Sequence, residues 1–251
     1  MIDGIPSLAS KSLLIPAISD AGLLLIWRRK EIASEGCLKG LSFPGTLCYT
    51  LSVFLCAYKG ILEAMNVNRY YPDRKNLALL VIDVQDSLAQ AMKPEVSEVV
   101  IRNIGILIHS AKTLTMPILF TEQYPKGLKR TIPAIRQALE PLEPFEKITF
   151  SAVRDEVFMD GLSNLGLTQI IITGMECHVC VYQTVLDLLE HGYCIHVPKD
   201  AVCSRTKQNW LTGLALMGQA GAVVTSTETI VFQLLERAGT DAFKAVAPLI
   251  K

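Results

Sequence analysis

The sequence lacks an excess of charge of either sign. It has 24 lysines and arginines against 24 aspartates and glutamates, so the formal net charge is zero. Nucleic acids and anionic membrane surfaces attract proteins through basic patches, and nothing here favours either partner. The seven cysteines are an odd number and show no regular disulfide spacing. This pattern predicts a reducing compartment, and therefore a cytoplasmic location.

A run without any charged residue sets the first 64 residues apart. Gly40–Tyr58 spans 19 residues, close to the length that crosses a bilayer, but it contains Pro44 and Gly45. The positive start of a secretory signal is missing, since Asp3 is the first charge. Residues 1–64 are therefore a membrane anchor, a packed extension, or residues outside the native product. We favour the last interpretation, and expect a membrane partner only if 40–58 is a real anchor.

The remaining chain, residues 65–251, has the makeup of one self-sufficient domain. Met65 opens a short polar stretch that leads directly into the apolar run LALLVIDV at Leu77–Val84. This is a normal beginning for an α/β enzyme, and the length suffices for one domain with a substantial core.

Apolar, β-branched runs alternate with helical patterns along 65–251. Short apolar runs predict strands covered on both faces, and alternation of such strands with helices predicts a parallel sheet. The expected fold is a doubly wound open parallel sheet with helices on both faces. The predicted strands are Leu77–Val84, Met116–Gln123, Lys147–Phe150, Thr168–Gly174, Tyr193–Pro198 and Ala222–Thr225. The predicted helices are Glu95–Leu114, Thr131–Glu140, Asp155–Leu165, Val179–His191, Asn209–Ala220 and Thr227–Arg237.

Reactive side chains stand where several of these strands end. Ligand sites in such sheets lie beyond the carboxyl ends of the strands. Asp83 ends the first strand, Lys147 lies on the third, and Glu176 to Cys180 follow the fourth. A carboxylate such as Asp83 is costly in an apolar run unless it is paired. It is either a cap at the strand end or an acid or base of a site.

The stretch GMECHVC, Gly174–Cys180, admits several interpretations. Cys177 and Cys180 have the spacing of a redox pair, and cysteine is also a common core residue. A zinc site is disfavoured because no second pair of Cys or His stands at ligand spacing. Cys180 at a helix start is also suited to be a nucleophile, because the helix dipole stabilises thiolate. His178 points away from it and is expected to be structural or to face substrate.

Five segments in order carry a resemblance to a known family. They are LLVIDVQDSL, LFTEQYPKGL, EKITFSA, ITGMECHVCVYQTVLDLLEHGY and DAVCSR. Together they resemble the isochorismatase-like (cysteine hydrolase) superfamily over roughly Leu77 to Arg237, and most closely its isochorismatase domain-containing branch. The resemblance implies a Rossmann-like three-layer fold.

The resemblance also implies a catalytic triad. Asp83 is then the general base, Lys147 orients it and stabilises the thiolate, and Cys180 attacks a carbonyl carbon to form a thioester. The family pattern places a cis peptide at Met175–Glu176. The backbone N–H groups of Glu176 and Cys180 then form the oxyanion hole.

Two departures from related families narrow the expected chemistry. The Asp-x-His metal motif of nicotinamidases is absent after the second strand, where the chain reads TEQYPKGLKR. No metal and no cofactor are therefore expected. The cysteine, which true isochorismatases lack, favours hydrolysis of a small amide or carbamoyl C–N bond.

The remaining expectations concern substrate, assembly and thiol chemistry. Gln85, Gln123 and Tyr124 are predicted to bind a small-molecule substrate, and the protein is expected to be a homo-oligomer. The thiol pKa of Cys180 is predicted to lie below its reference value, whereas Cys177 is expected to be an ordinary thiol. The alternative is a thiol redox or sensor protein that uses the Cys177/Cys180 pair.

Overall fold

The fold is built on a parallel sheet of seven strands. The computed structural model describes residues 67–250. The sheet order is β3-β2-β1-β4-β5-β7, with β6 paired to β4, and every pairing is parallel. The strands are β1 Leu77–Ile82, β2 Ile118–Gln123, β3 Phe145–Lys147, β4 Gln169–Met175, β5 Cys194–Pro198, β6 Val202–Cys203 and β7 Val223–Thr225.

Helices connect successive strands except β5 and β6, as crossovers between parallel neighbours require. Their bounds are α1 Asp86–Ala91, α2 Pro94–Thr113, α3 Pro125–Leu128, α4 Pro133–Leu139, α5 Glu156–Ser163, α6 Tyr182–Glu190, α7 Lys207–Ala220, α8 Thr227–Leu235 and α9 Asp241–Val246. A π-helical turn, Cys177–Val181, precedes α6, and short 3₁₀ turns lie at Val67–Tyr70, Ala152–Arg154 and Ala247–Leu249.

Alternate side chains of each central strand enter two separate cores. Leu79 and Val81 pack with residues of α2, α4, α8 and α9. Leu80 and Ile82, on the opposite face of β1, pack with residues of α5, α6 and α7. All of β1 is buried, which explains why its sequence is apolar throughout instead of alternating. The predicted doubly wound sheet with helices on both faces is confirmed.

Several predicted elements differ from the observed ones at their ends. The third strand is Phe145–Lys147, so Lys147 ends it instead of starting it. The helix after β4 starts as the wider turn Cys177–Val181. The sequence pattern does not predict α1, α3, α9 or the two-residue strand β6. These elements are too short for hydrophobic periodicity to show.

The expectations for residues 1–64, including the uncharged run 40–58, lie outside the described residues. Within residues 67–250, no helix is both long and apolar enough to cross a membrane.

The strand order reverses between β1 and β4, which are neighbours in the sheet. The chain proceeds from β1 to β2 and β3 on one side, and from β4 to β5 and β7 on the other. Ligands bind in the crevice at such a switch point. The two strands approach closely there: a Cβ on Gly174, whose φ is +121°, would lie 1.9 Å from the Ile82 carbonyl oxygen. Only glycine fits this position.

Candidate active site

Asp83 follows β1 at the switch point, and its side chain is fully buried. Its φ is +50°, a left-handed conformation that aspartate tolerates better than most residues. Oδ1 accepts a hydrogen bond of 2.7 Å from Thr121 Oγ1, and Oδ2 lies 2.7 Å from Lys147 Nζ. The carboxylate is therefore held by one neutral donor and one cation. Asp83 is a buried, paired group and does not cap a helix.

Lys147, the last residue of β3, is the cation of this pair, and its side chain is completely buried. Besides Asp83, Nζ donates to Gln123 Oε1 at 2.8 Å and to the carbonyls of Phe150 and Thr149 at 3.1 and 3.3 Å. Four acceptors thus surround an ammonium with three protons. A buried charge is tolerated only with such complete satisfaction, and the arrangement fixes the cation as a static group.

Cys180 comes from the turn after β4, on the other side of the switch point. The Glu176 carbonyl accepts hydrogen bonds from Val179 N–H at 3.0 Å and Val181 N–H at 3.3 Å, which gives the turn its π-helical width. Single π-turns are frequent at functional sites. Thr184 Oγ1 donates to the Cys180 carbonyl at 2.7 Å and anchors the turn to α6.

The electrostatic environment of Cys180 joins it to the buried pair. Burial raises the pKa of the Cys180 thiol, the negative charge of Asp83 raises it further, and the Lys147 cation opposes this by lowering it. The net direction is upward. The predicted low thiol pKa is therefore wrong, because the helix start and the cation do not outweigh burial and the neighbouring carboxylate.

Glu176 ties the cysteine turn to the strand beside it. The peptide bond between Met175 and Glu176 is cis, as the family pattern implied. Glu176 Oε1 accepts from the backbone N–H of Arg205 at 3.1 Å and from its Nε at 3.0 Å. His178 Nδ1 lies 3.0 Å from Ser204 Oγ, so this histidine also contacts the segment after β6. Two side chains of one turn thus hold the same neighbouring segment.

The geometry is matched by sequence comparison. The family model for the isochorismatase domain matches residues 77–229. The chain belongs to the isochorismatase family. Isochorismatase family protein 1B of Dictyostelium discoideum is 38% identical over 178 residues, covering 69% of this chain and 85% of its own. Isochorismatase domain-containing protein 2 of Xenopus laevis is 35% identical over 178 residues, covering 70% and 84%.

Solved structures agree with this membership. The structure of a MAR1 ribonuclease from Caenorhabditis elegans has a TM-score of 0.66 and 36% identity, covering 72% of this chain and 92% of that one. The Escherichia coli YcaC product, described as an octameric hydrolase of unknown specificity, has a TM-score of 0.66 at 22% identity, covering 72% and 89%, and so supports the fold alone. The protein is an isochorismatase-family hydrolase.

The structure brings the three residues of the predicted triad near one another, but it gives two of the predicted substrate residues other contacts. Asp83 and Lys147 are in direct contact, and Cys180 is electrostatically coupled to both. Gln85 is fully buried, and its amide is bonded to backbone groups. Gln123 accepts from Lys147 and donates to the Ile148 carbonyl at 2.7 Å.

Tyr124 is the predicted substrate residue that faces an open cavity. It is half exposed and, with Lys147, lines a cavity of about 450 Å³. The other lining residues are Pro125, Lys126, Arg130, Glu146 and Ile148. A cavity of this size accommodates a small organic molecule. In the part of the chain that the structure describes, no cluster of His, Cys, Asp or Glu is arranged to hold a metal ion.

Cys177 lies in the same turn as Cys180 but has different neighbours. Its sulfur approaches the Trp210 carbonyl at 3.7 Å, and the absence of a side chain on Gly213 lets α7 pack closely against it. The residue is fully buried, and burial raises the pKa of its thiol to about 12. The expectation of an ordinary thiol is therefore wrong. Its position against α7 gives no support to a redox pair.

Sequence reasoning missed one contributor to the site, Thr121. Thr121 lies in the middle of an apolar strand and supplies the hydroxyl that holds Asp83. A polar residue facing a strand-end carboxylate in the adjacent strand is the signal that could have revealed it. Glu122 accepts from Thr131 N–H and Oγ1, each at 2.7 Å, and from Arg130. Burial alone would raise the pKa of Glu122, yet these hydrogen bonds outweigh it and lower the pKa.

Proposed function

We propose that this hydrolase cleaves the C–N bond of a small amide or carbamoyl compound through a thioester on Cys180. The observation that carries the proposal is the buried Asp83–Lys147 pair at 2.7 Å, coupled to a cysteine in the turn after the adjacent strand. A nucleophile, a base and a fixed cation then meet at the switch point of the sheet. Tyr124 lines the cavity that would receive the substrate, and Gln123 accepts a hydrogen bond from Lys147 beside it.

The raised thiol pKa fits transfer of the proton within the site. Cys180 stays protonated in the free enzyme, and Asp83 takes its proton as the sulfur attacks the carbonyl carbon. Asp83 returns this proton to the nitrogen as the C–N bond breaks, and the amine or ammonia leaves. Water then attacks the thioester with Asp83 again as base, which releases the acid and restores the thiol. Lys147 remains charged throughout, because its protons are bound by four acceptors.

The backbone N–H groups of Glu176 and Cys180 are the proposed donors to the negative oxygen that develops in this reaction. Both belong to the turn after β4, which the bonds of Glu176 to Arg205 hold in place. Such a fixed pair of donors typically contributes about 2.7–4 kcal/mol each to transition-state stabilisation.

A screen of small amides and carbamoyl compounds for release of ammonia or amine tests the proposal. The wild-type protein should release ammonia from a subset of them, and Cys180→Ala should release none above background. Release by Cys180→Ala at the wild-type rate would exclude the thioester route. Thiol oxidation without any amide turnover would instead favour the redox alternative that uses Cys177 and Cys180.

We also propose that the functional unit is a cytoplasmic homo-oligomer of a domain spanning 65–251. The octameric state described for the E. coli neighbour supports self-association. Two apolar side chains close to Lys147 in the sequence, Ile148 and Phe150, are 81% and 54% exposed, and a second subunit could cover them. Within residues 67–250 the four cysteines form no disulfide, as expected in a reducing compartment. Sedimentation of the purified protein at micromolar concentration should show an oligomer. A boundary of monomer alone would contradict this proposal.

A further inference from the structure

The loop that follows β2 is closed at its base by the amide of one buried side chain. Gln85 Nε2 donates to the Gln123 carbonyl at 3.0 Å and to the Lys129 carbonyl at 2.7 Å. These two carbonyls lie at the two ends of the segment 124–128, here called the cavity loop, which contains α3. Both protons of the amide nitrogen therefore join the beginning of the cavity loop to its end.

The same amide also bonds through its oxygen. Gln85 Oε1 accepts from the Gln123 backbone N–H at 2.8 Å, so both backbone groups of Gln123 are held by one side chain. Gln85 also forms an antiparallel bridge with Thr131. Every hydrogen-bonding group of this amide except one oxygen lone pair is thus used, at a position that is fully buried.

Gln123 transmits this positioning to the cation. Its side-chain oxygen accepts from Lys147 Nζ at 2.8 Å, and its amide nitrogen donates to the Ile148 carbonyl at 2.7 Å. The hydrogen-bonded series runs from Gln85 to Gln123 to Lys147 and ends at Asp83. The cavity loop and the buried ion pair therefore share one support.

We propose that Gln85 is a positioning residue that latches the base of the cavity loop and, through Gln123, fixes Lys147. This assignment replaces direct substrate binding by Gln85 and Gln123, since both protons of the Gln85 amide are donated to backbone carbonyls and the Gln123 amide is bonded to Lys147 and to the Ile148 carbonyl. It rests on the proposed catalytic role of Lys147, but its test needs no substrate. Its failure is therefore distinguishable from failure of the proposed amide hydrolysis.

Two variants separate the latch from the link to Lys147. Gln85→Met keeps the volume and removes all three bonds, so hydrogen exchange at 124–131 should become at least about tenfold faster, as expected when buried hydrogen bonds are lost. Alkylation of Cys180 by iodoacetamide should also slow. Gln123→Met keeps the backbone bonds to Gln85, so it should slow the alkylation and leave exchange in the cavity loop as in wild type.

Gln85→Glu adds a pH-dependent test. The ionised carboxylate still accepts from Gln123 N–H but repels the two carbonyls, so the loop should lose protection at high pH. Burial raises the pKa of such a carboxyl, and its protonated form donates one bond again. Protection factors should therefore recover as the pH falls from about 10 to about 5, a range that includes the pKa of about 8–9 documented for buried glutamates. Wild type and Gln85→Met should show no such recovery.

Asn103→Leu is the matched control, because it removes another buried amide. The Asn103 amide donates a hydrogen bond of 2.8 Å to the Asp200 carbonyl and makes no hydrogen bond with Gln85, Gln123 or Lys147. Its exchange in the cavity loop and its Cys180 alkylation should match wild type. Unchanged exchange in Gln85→Met, or the same increase in Asn103→Leu, would overturn the proposal. So would equal loop opening in Gln123→Met. If Gln85→Met does not fold, the absence of recovery at low pH in Gln85→Glu overturns it alone.

Discussion

Cys177 and Cys180 occupy one turn of the chain, yet their surroundings differ in the feature that matters for chemistry. Both thiols are buried, and burial raises the pKa of each. Cys177 packs against the backbone of α7, whereas Cys180 is coupled to Asp83 and Lys147. Neither spacing nor burial distinguishes them. Of the two cysteines, only Cys180 lies beside a carboxylate that can take a proton and a cation that can balance a thiolate.

The largest expected difference between the two cysteines is in turnover. Cys180→Ala should lower the rate of amide hydrolysis by on the order of 10⁴-fold or more, as loss of a nucleophile does in comparable triads. Cys177→Ala should keep the rate within about tenfold and lose about 1–2 kcal/mol of stability, the cost of a small buried deletion. Ammonia release and urea unfolding measure the two effects. Equal loss of activity in both variants would remove the distinction.

Asp83→Asn should separate proton transfer from thiol ionisation. Without a base, hydrolysis should fall by about 10²–10⁴-fold, the usual contribution of general base catalysis. The thiol pKa of Cys180 should fall at the same time, because the negative charge of Asp83 raises it. The pH profile of Cys180 alkylation should therefore shift to lower pH, while that of Cys177 stays. A shift to higher pH would contradict the assigned electrostatics.

Lys147→Met tests the cation and has a matched control on the surface. Removing one partner of a buried ion pair typically costs about 3–5 kcal/mol, and alkylation of Cys180 at neutral pH should slow. Arg154 pairs with Asp187 at 2.9 Å but is mostly exposed. Arg154→Met should cost at most about 1 kcal/mol and leave the alkylation unchanged. Similar costs for the two variants, measured by urea unfolding, would show that the Lys147 pair is not truly buried.

The smallest predicted effect treats the two thiols alike. Both folded pKa values lie above the unfolded value, so the folded state retains protons that the unfolded state releases at alkaline pH. Stability is therefore full below the unfolded thiol pKa and is lost as pH rises above about 8.5, at up to roughly 1.4 kcal/mol per pH unit for each thiol. Cys177→Ala and Cys180→Ala should each make the free energy of unfolding fall less steeply between neutral and alkaline pH, by a similar amount, as measured by urea unfolding across this pH range.

Most of the fold was predictable because long apolar runs and strand–helix alternation leave few topologies. The positions of Asp83 at the end of a strand and of Cys180 in the turn after one were predictable for the same reason, whereas Lys147 was expected to start the strand that it ends. The structural roles of Gln85 and Gln123 were not predictable, since their hydrogen bonds to backbone carbonyls depend on how the cavity loop closes. The direction of the Cys180 pKa shift also required the structure, because it depends on how deeply the thiol is buried.

The most direct test of the central claim is the relative rate at which the two cysteines react in the folded protein. Wild type is treated with one equivalent of iodoacetamide at neutral pH, and peptide mapping follows Cys180 and Cys177 over time. We predict that Cys180 is labelled at least about tenfold faster, because Asp83 can take the thiol proton as the sulfur attacks and Lys147 offsets the charge on sulfur, whereas Cys177 packs against α7. Equal rates for the two cysteines, or faster labelling of Cys177, would contradict the assignment of Cys180 as the nucleophile.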